Sequence, residues 1–188
     1  MIASIPNLLT LSRILVIPGL IGSFYLESPL ANWVALGLFV AAGITDFFDG
    51  YMARAMGVQS KLGQFLDPVA DKLLVAAALF MLAATPGRID NITVIAAVVI
   101  LCREVLVSGL REVLADIKVS VPVTRLAKWK TTVQIVAIAF LLAGDAARPI
   151  YAKQIGTVGL WIAAVLTLYT GYDYLRAGLR HLTGPRLP

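Results

Sequence analysis

The chain has 188 residues, of which 59% are hydrophobic, and a mean hydropathy of +0.85. A composition this apolar excludes an ordinary soluble domain, and the length suits one compact bundle of membrane helices that forms a single domain, residues 1–188. The net charge is +5, but the cations flank apolar runs and form no basic arm interleaved with aromatic residues, which argues against nucleic acid and favours anionic membrane lipids as partners.

Six apolar runs are long enough to cross a bilayer as helices, which requires about 20 residues each. They predict an all-α polytopic membrane bundle with six transmembrane helices. The predicted spans are about Leu8–Tyr25, Trp33–Ala55, Leu62–Ala84, Ile92–Leu114, Leu126–Gly144 and Ile155–Leu175. Polar segments separate the spans, including a turn at about 85–91 and another at about 145–153.

The first predicted helix opens with Asn7, Thr10 and Arg13, which are three residues apart and therefore share one side of a helix. The spacing alone leaves two interpretations open. Pro6 and Asn7 start a capped helix whose arginine reaches the headgroup level. Alternatively, the three side chains face a ligand.

Four aspartates lie in otherwise apolar sequence where the second predicted helix ends and the third begins. At about 100° per residue, Asp46 and Asp49 share one helical face, and Asp67 and Asp71 share another. Carboxylates at membrane depth are costly unless a metal, another cation or a water-filled cavity receives them. Four of them this close cannot all stay ionised without divalent cations, and all-oxygen ligation beside a phosphate suits Mg²⁺ or Mn²⁺ better than Zn²⁺.

Small residues share these acidic faces. Gly50 and Ala53 leave the face that carries Asp46 and Asp49 nearly free of side chain, and Gly63 does the same at the entry to the next helix. Open space beside carboxylates predicts a nucleotide or a diphosphate that binds through its metal.

The spacing of these residues resembles a known signature. Asp46-x2-Asp49-Gly50-x2-Ala53-Arg54-x8-Gly63-x3-Asp67-x3-Asp71 matches, position for position, that of the CDP-alcohol phosphotransferases. The resemblance implies a polytopic membrane enzyme with a two-metal site, in which a hydroxyl of an acceptor alcohol attacks the β-phosphorus of a CDP-linked donor and CMP leaves. The chemistry is reasonable by itself, because a positioned carboxylate can accept the alcohol's proton while cations neutralise the diphosphate.

The same resemblance implies roles for individual residues. Asp46, Asp49 and Asp67 are implied metal ligands, and Asp71 is the implied catalytic base that also shares a metal. Many family members carry a similar Asn-x2-Thr-x2-Arg at the start of the first membrane helix, next to the nucleotide. The implied donor site therefore contains Asn7, Thr10, Arg13, Asp49, Gly50, Ala53, Arg54 and Gly63.

Basic side chains gather between the middle of the fourth predicted helix and the start of the fifth. Arg103 lies near the middle of its run, where a guanidinium requires a carboxylate or a phosphate. One interpretation is an internal network with Glu104 that holds the bundle together. The other is an anionic acceptor, favoured because Lys128 and Lys130 have no acid beside them in sequence. The candidate acceptor residues are Arg103, Arg111, Lys128 and Lys130.

The pattern C-R-E-x5-L-R-E, followed by W-K-T, resembles the phosphatidylglycerophosphate synthase branch of the family. It implies CDP-diacylglycerol as donor, sn-glycerol 3-phosphate as acceptor, and phosphatidylglycerophosphate and CMP as products. Inositol phosphate, serine or phosphatidylglycerol remain alternative acceptors. A divalent-cation transporter that uses the same aspartates is the alternative from another class. Family resemblance also favours a homodimer.

The flanking cations predict an orientation. On the aspartate side they are Arg13, Arg54, Lys61, Arg111, Lys118, Arg125, Lys128, Lys130, Arg176, Arg180 and Arg186, against Arg88, Arg148 and Lys153 on the other side. The positive-inside rule then places the aspartates on the cytoplasmic side. We therefore expect a protein of the bacterial inner membrane whose active site faces the cytoplasm.

Overall fold

A computed structural model describes the backbone of residues 5–56, 61–117, 119 and 125–183. Within these ranges the side chains of 5–9, 47, 49–56, 61, 62, 64, 65, 116, 125 and 180–183 are not described. All regular structure in the described ranges is helical, so the predicted all-α class is confirmed.

The helices follow the predicted apolar runs to within a few residues at most ends. They are α1 (Ile5–Ser23), α2 (Leu30–Met56), α3 (Lys61–Ala84), α4 (Asn91–Asp116), α5 (Arg125–Ala143), the short 3₁₀ helix η1 (Gly144–Ile150) and α6 (Ala152–Thr183). Two differences are larger. The segment predicted as a polar turn after α5 contains η1, and α6 continues well beyond Leu175 because a helix does not have to end where the apolar run ends.

Three of the described helices are long and apolar enough to cross a membrane, at Asn91–Ala115, Leu126–Ile150 and Ala152–Leu179. The apolar parts of α1 and α2 are shorter, at Thr10–Ser23 and Leu30–Asp46. The first of these stretches begins, and the second ends, next to side chains that are not described. The structure thus supports a membrane protein, whereas the number of six spans stays a prediction.

The chain forms two compact units. The first unit comprises Met1–Ile89 with Ile138–Gly156, and the second comprises Asp90–Ala137 with Thr157–Pro188. The four aspartates belong to the first unit, and the predicted acceptor cations belong to the second. A single domain of 188 residues stays a prediction.

In the first unit, α1 packs against both α2 and α3. Its buried core includes Leu20, Phe39, Leu74 and Leu82. This packing places one face of α1 against the two helices that carry the aspartates, which is the arrangement that the candidate site needs.

A polar cluster holds the other end of the first unit. The Arg88 guanidinium donates to Asn32 Oδ1 at 2.7 Å and to the Leu142 carbonyl at 3.3 Å, and it lies 5.4 Å from the centre of the Phe24 ring. Asn32 donates to the Ala143 carbonyl at 2.7 Å. These bonds satisfy carbonyl groups in the last turn of α5, which have no N–H donor within their own helix. Burial lowers the pKa of Arg88, because desolvation disfavours the charged guanidinium.

Glycine is required where α5 ends. Gly144 has φ +45°, and a side chain at that position would lie 3.1 Å from both Arg88 Nη1 and Asn32 Nδ2. Tyr151, also in the left-handed region with φ 51°, ends η1 and lets α6 begin at Ala152.

In the second unit, buried apolar side chains of α4, the first part of α5 and α6 form the core. They are Ala96, Ala97, Ile100, Val107, Leu114, Ala137, Leu160, Ala163 and Ala164. Many of these residues are small, which lets membrane helices approach closely.

Candidate active site

Arg13 joins the two acidic helices of the first unit. Its Nη1 atom lies 2.8 Å from Asp46 Oδ1 on α2 and 2.5 Å from Asp71 Oδ1 on α3. The Arg13 side chain is only 1% exposed, whereas those of Asp46 and Asp71 are 45% and 49% exposed. Because both carboxylate oxygens contact the same nitrogen, the two acidic faces meet at one point.

Thr10 makes a similar contact one turn earlier on α1. Its hydroxyl donates to Asp67 Oδ1, and Thr10 itself is buried. Two of the three polar residues that open α1 therefore bind aspartates on α2 and α3. The burial of Arg13 contradicts the interpretation in which its guanidinium reaches the lipid headgroups.

Several predicted site residues fall outside the described side chains. They are Asn7, Asp49, Gly50, Ala53 and Arg54. Gly63 is described, and it is buried near the start of α3. The described part of the predicted donor site thus consists of Thr10, Arg13 and Gly63.

The carboxylates suit a hard divalent cation by donor chemistry. Asp46, Asp67 and Asp71 supply only oxygen, and the partial exposure of Asp46 and Asp71 leaves them accessible. One arginine balances only one of the two charges that it contacts. Among the described side chains, which leave out Asp49, no three acidic, histidine or cysteine residues form a cluster tight enough to hold a metal ion.

The second unit brings two of the predicted acceptor cations to one acid. Lys130, buried on α5, donates to Glu104 Oε1 on α4. Arg103 Nη1 lies 3.5 Å from the same Glu104 oxygen, and Arg103 Nη2 donates to Thr170 Oγ1 on α6 at 3.2 Å. Sequence neighbours did not reveal an acid for Lys130, because its partner lies on another helix. The pairing supports the internal network, yet two cations share one carboxylate, so one positive charge remains.

The other two predicted acceptor residues are exposed. Arg111 donates through Nε to the Tyr174 hydroxyl at 3.2 Å, and its guanidinium lies 5.2 Å from the centre of the Tyr174 ring. Lys128 lies on the exposed face of α5. Only Arg103 and Lys130 of the predicted four therefore meet at one carboxylate.

Two glycines of α6 receive side chains of α4. A methyl group at Gly171 would lie 2.9 Å from Arg103 Cγ, and one at Gly178 would lie 2.8 Å from a Leu110 methyl group. Gly178 follows Gly171 by seven residues on α6, and Leu110 follows Arg103 by seven residues on α4. The two helices therefore run in the same direction. Gly171 thus provides the space in which Arg103 lies.

Sequence reasoning missed the residues of α6 that contact the cations. Thr170 and Tyr174 are four residues apart, and Thr167 precedes them by one turn, which places the three on one helical face. A polar stripe in an apolar run was the signal that could have identified them.

A sequence profile of the CDP-alcohol phosphatidyltransferases matches residues 3–169. The chain belongs to this family. The match confirms the resemblance that the aspartate signature predicted, and with it the prediction of an enzyme rather than a transporter. Members of this family generally use a divalent metal, which agrees with the oxygen donors of the first unit.

Three relatives of this CDP-alcohol phosphatidyltransferase illustrate the names that similar proteins carry. It is 49% identical to the CDP-diacylglycerol–glycerol-3-phosphate 3-phosphatidyltransferase of Rickettsia felis, over 93% of this chain and 94% of that protein. It is 41% identical to the enzyme of the same name from Cereibacter sphaeroides, over 95% of this chain and 97% of that protein. It is also 37% identical to the cardiolipin synthase (CMP-forming) of Oryza sativa, over 92% of this chain and 56% of that protein.

Proposed function

We propose that this enzyme transfers the phosphatidyl group of CDP-diacylglycerol to glycerol 3-phosphate, giving phosphatidylglycerophosphate and CMP. The observation that carries the proposal is the 49% identity, over 93% of the chain, to a protein whose name states this donor and this acceptor. The geometry of the two units supports it, because one unit offers acids for a metal and the other offers cations for a phosphate.

Asp71 is the proposed catalytic base. An alcohol is a weak nucleophile at neutral pH, and a carboxylate that accepts its proton raises its reactivity. The contact with Arg13 fixes the direction of the Asp71 side chain, and about half of that side chain remains accessible to a substrate. Asp71 therefore combines a fixed orientation with access.

Asp46, Asp49, Asp67 and Asp71 are the proposed ligands of two divalent cations, Mg²⁺ or Mn²⁺. Bound there, the cations would neutralise the diphosphate of the donor and the phosphate of the departing CMP. Thr10 orients Asp67 through its hydroxyl, and Arg13 orients Asp46 and Asp71. These two residues thus prepare the ligand set from a third helix.

The proposed donor site surrounds these aspartates. It comprises Asn7, Thr10, Arg13, Asp49, Gly50, Ala53, Arg54 and Gly63. The buried Gly63 supports this assignment, because it leaves backbone rather than side chain beside the acidic face.

The proposed acceptor site contains Arg103, Lys130, Arg111 and Lys128. Arg103 and Lys130 share Glu104, and the positive charge that remains suits the phosphate of the acceptor. Arg111 and Lys128 are exposed, so they raise the local concentration of an anionic acceptor rather than enclose it.

The membrane arrangement completes the proposal. All six apolar helices span the bacterial inner membrane, with the aspartates on the cytoplasmic side, where a soluble acceptor has access. The distribution of lysine and arginine in the sequence supports this orientation. We further propose a homodimer, following the family resemblance.

The experiment measures CMP released from CDP-diacylglycerol by the purified protein in detergent micelles, with and without Mg²⁺ or Mn²⁺. Glycerol 3-phosphate as acceptor should give metal-dependent CMP and phosphatidylglycerophosphate. Asp71→Asn should reduce the rate at least about 100-fold, because it removes the base. An Asp71→Asn protein that retains the full rate would refute the assigned role.

A second candidate acceptor is phosphatidylglycerol, favoured by the 37% identity to the rice cardiolipin synthase. The same assay decides between the two candidates, because each acceptor is tested with one labelled donor. Cardiolipin formed faster than phosphatidylglycerophosphate would replace the primary proposal. Inositol phosphate and serine complete the acceptor panel.

A further inference from the structure

Besides Arg103 Nε, two buried polar atoms of the second unit form no hydrogen bond among the described residues. Gln134 on α5 is 4% exposed, and its Oε1 atom accepts no hydrogen bond there. Thr167 on α6 is fully buried, and its Oγ1 atom likewise forms none. An unsatisfied buried polar atom destabilises the fold, so native structures normally satisfy such groups with water or a ligand.

The contacts of the unit define how its helices run. Lys130 of α5 bonds to Glu104, and Thr170 of α6 bonds to the neighbouring Arg103. Lys130 and Thr170 therefore lie at the same height along α4, which we call the cation level. A second level is set by Gly159, where a methyl group would lie 3.0 Å from Ala137 Cβ. Between these levels the numbering rises along α5 and falls along α6, so the two helices are antiparallel.

Gln134 and Thr167 lie on the same side of the cation level. Gln134 follows Lys130 by four residues, about 6 Å along α5, and Thr167 precedes Thr170 by three residues, about 4.5 Å along α6. Because the helices are antiparallel, both displacements point toward Ala137. Residues four or three apart also share a helical face. The two unpartnered groups therefore form one layer, a single turn beyond the cations.

We infer that Gln134 and Thr167 recognise the middle hydroxyl of the acceptor, the one that does not attack the donor. This inference rests on the proposed function. With the phosphate at Arg103 and Lys130, the carbon chain of glycerol 3-phosphate reaches a layer one turn away. A hydroxyl both donates and accepts, so it satisfies an amide oxygen and a threonine hydroxyl together. A half-turn of the Gln134 amide presents its donor instead, and a hydroxyl satisfies that group too.

The test compares two acceptors that differ only in this hydroxyl: glycerol 3-phosphate and 3-hydroxypropyl phosphate. The wild-type enzyme should show at least about a tenfold lower kcat/KM for 3-hydroxypropyl phosphate, because its buried partners are then left unsatisfied. Gln134→Leu keeps the volume and removes the polar group. It should lower kcat/KM for glycerol 3-phosphate about tenfold and leave 3-hydroxypropyl phosphate within about threefold, so that the discrimination nearly disappears.

Controls separate recognition from packing. Thr132→Val changes an exposed residue of α5 whose hydroxyl donates to the Lys128 carbonyl of the same helix, and it should keep the wild-type discrimination. Thr167→Val is the second test variant, and it should reduce the discrimination even if Gln134→Leu does not fold. Inorganic phosphate should inhibit the Gln134→Leu and wild-type enzymes equally, because it binds the cations alone.

The outcomes are distinguishable. If Gln134→Leu and Thr167→Val lower kcat/KM equally for both acceptors, the two residues only pack the bundle and the inference is wrong. If the wild-type enzyme uses both acceptors equally well, the inference is wrong while the proposed function stands. If the wild-type enzyme releases CMP with neither acceptor, the proposed function fails, and the inference fails with it.

Discussion

Gly171→Ala should impair acceptor binding, because Gly171 provides the space for Arg103. A methyl group at this position would lie 2.9 Å from Arg103 Cγ and 3.2 Å from Arg103 Nε. Carbon atoms in optimal contact are about 3.5–4.0 Å apart, so Arg103 or α6 has to move by more than about 0.5 Å. Cγ lies near the backbone, which prevents the side chain from avoiding the methyl group by rotation of its end alone.

The expected magnitudes follow from two opposing effects on stability and one on binding. Overpacking of this kind costs about 1–3 kcal/mol, and replacing glycine by alanine within a helix returns about 0.5–1 kcal/mol. The free energy of unfolding should therefore fall by no more than about 2.5 kcal/mol. A displaced guanidinium would lose the charged hydrogen bond that we propose it donates to the acceptor phosphate, about 1.5–3 kcal/mol, which would raise KM for glycerol 3-phosphate roughly tenfold or more.

Gly178→Ala is the matched control on the same helix. Its methyl group would lie 2.8 Å from Leu110 Cδ2, an equally close approach to a side chain without charge. The assay measures kcat and KM for glycerol 3-phosphate at saturating CDP-diacylglycerol. Gly171→Ala should raise KM and change kcat little, whereas Gly178→Ala should leave KM within about twofold. Equal values of KM for the two variants would refute the idea that Gly171 positions Arg103.

Two further predictions concern the first unit and the start of α4. Arg13→Gln leaves the carboxylates of Asp46 and Asp71 close together without their shared cation, so the metal-free protein should lose about 1–3 kcal/mol of stability. Added Mg²⁺ should then raise its melting temperature more than that of the wild type, and an equal rise would contradict this account. The hydroxyl of Thr93 donates to Asp90 and lowers its pKa below the usual 3.8. The stabilisation is therefore present above that value and lost as pH falls through the lowered pKa. The stability difference between wild type and Thr93→Val, measured from denaturant unfolding, should shrink on acidification below pH 3.8, and a constant difference would refute it.

The positions of the helices could be predicted from the sequence because apolar length and turn residues are local signals. Pro86 and Gly87 lie in the described turn between α3 and α4, where the proline and glycine predicted a break. The structure of the segment after α5 was harder to predict, because it depends on contacts with distant residues. The 3₁₀ helix Gly144–Ile150 begins with a glycine in the left-handed region, and that glycine lies against Arg88 and Asn32, two residues far away in sequence.

The features of the candidate site likewise divide into those that local sequence spacing predicts and those that depend on contacts between helices. Spacing on a helix predicted that Asp46 shares a face with Asp49 and Asp67 with Asp71, because helical geometry is fixed by residue number. Spacing could not identify Glu104 as the partner of Lys130, since that contact depends on which helices become neighbours. Spacing also could not predict the burial of Arg13, because the acids that offset the cost of burying its guanidinium lie on two other helices.

Charge balance gives the two units different chemistry. In the first unit one buried guanidinium contacts two carboxylates, so internal pairing leaves a negative charge beside half-exposed oxygens. In the second unit Arg103 and Lys130 share the single carboxylate of Glu104, so internal pairing leaves a positive charge. Each cluster is held by contacts that cannot neutralise it fully, and a buried or half-buried residual charge favours a ligand of opposite sign. In the proposed function, a divalent cation balances the negative charge of the first unit and the acceptor phosphate balances the positive charge of the second. The proposed transfer of a phosphatidyl group from a CDP-linked donor to an anionic alcohol, with release of CMP, would use both.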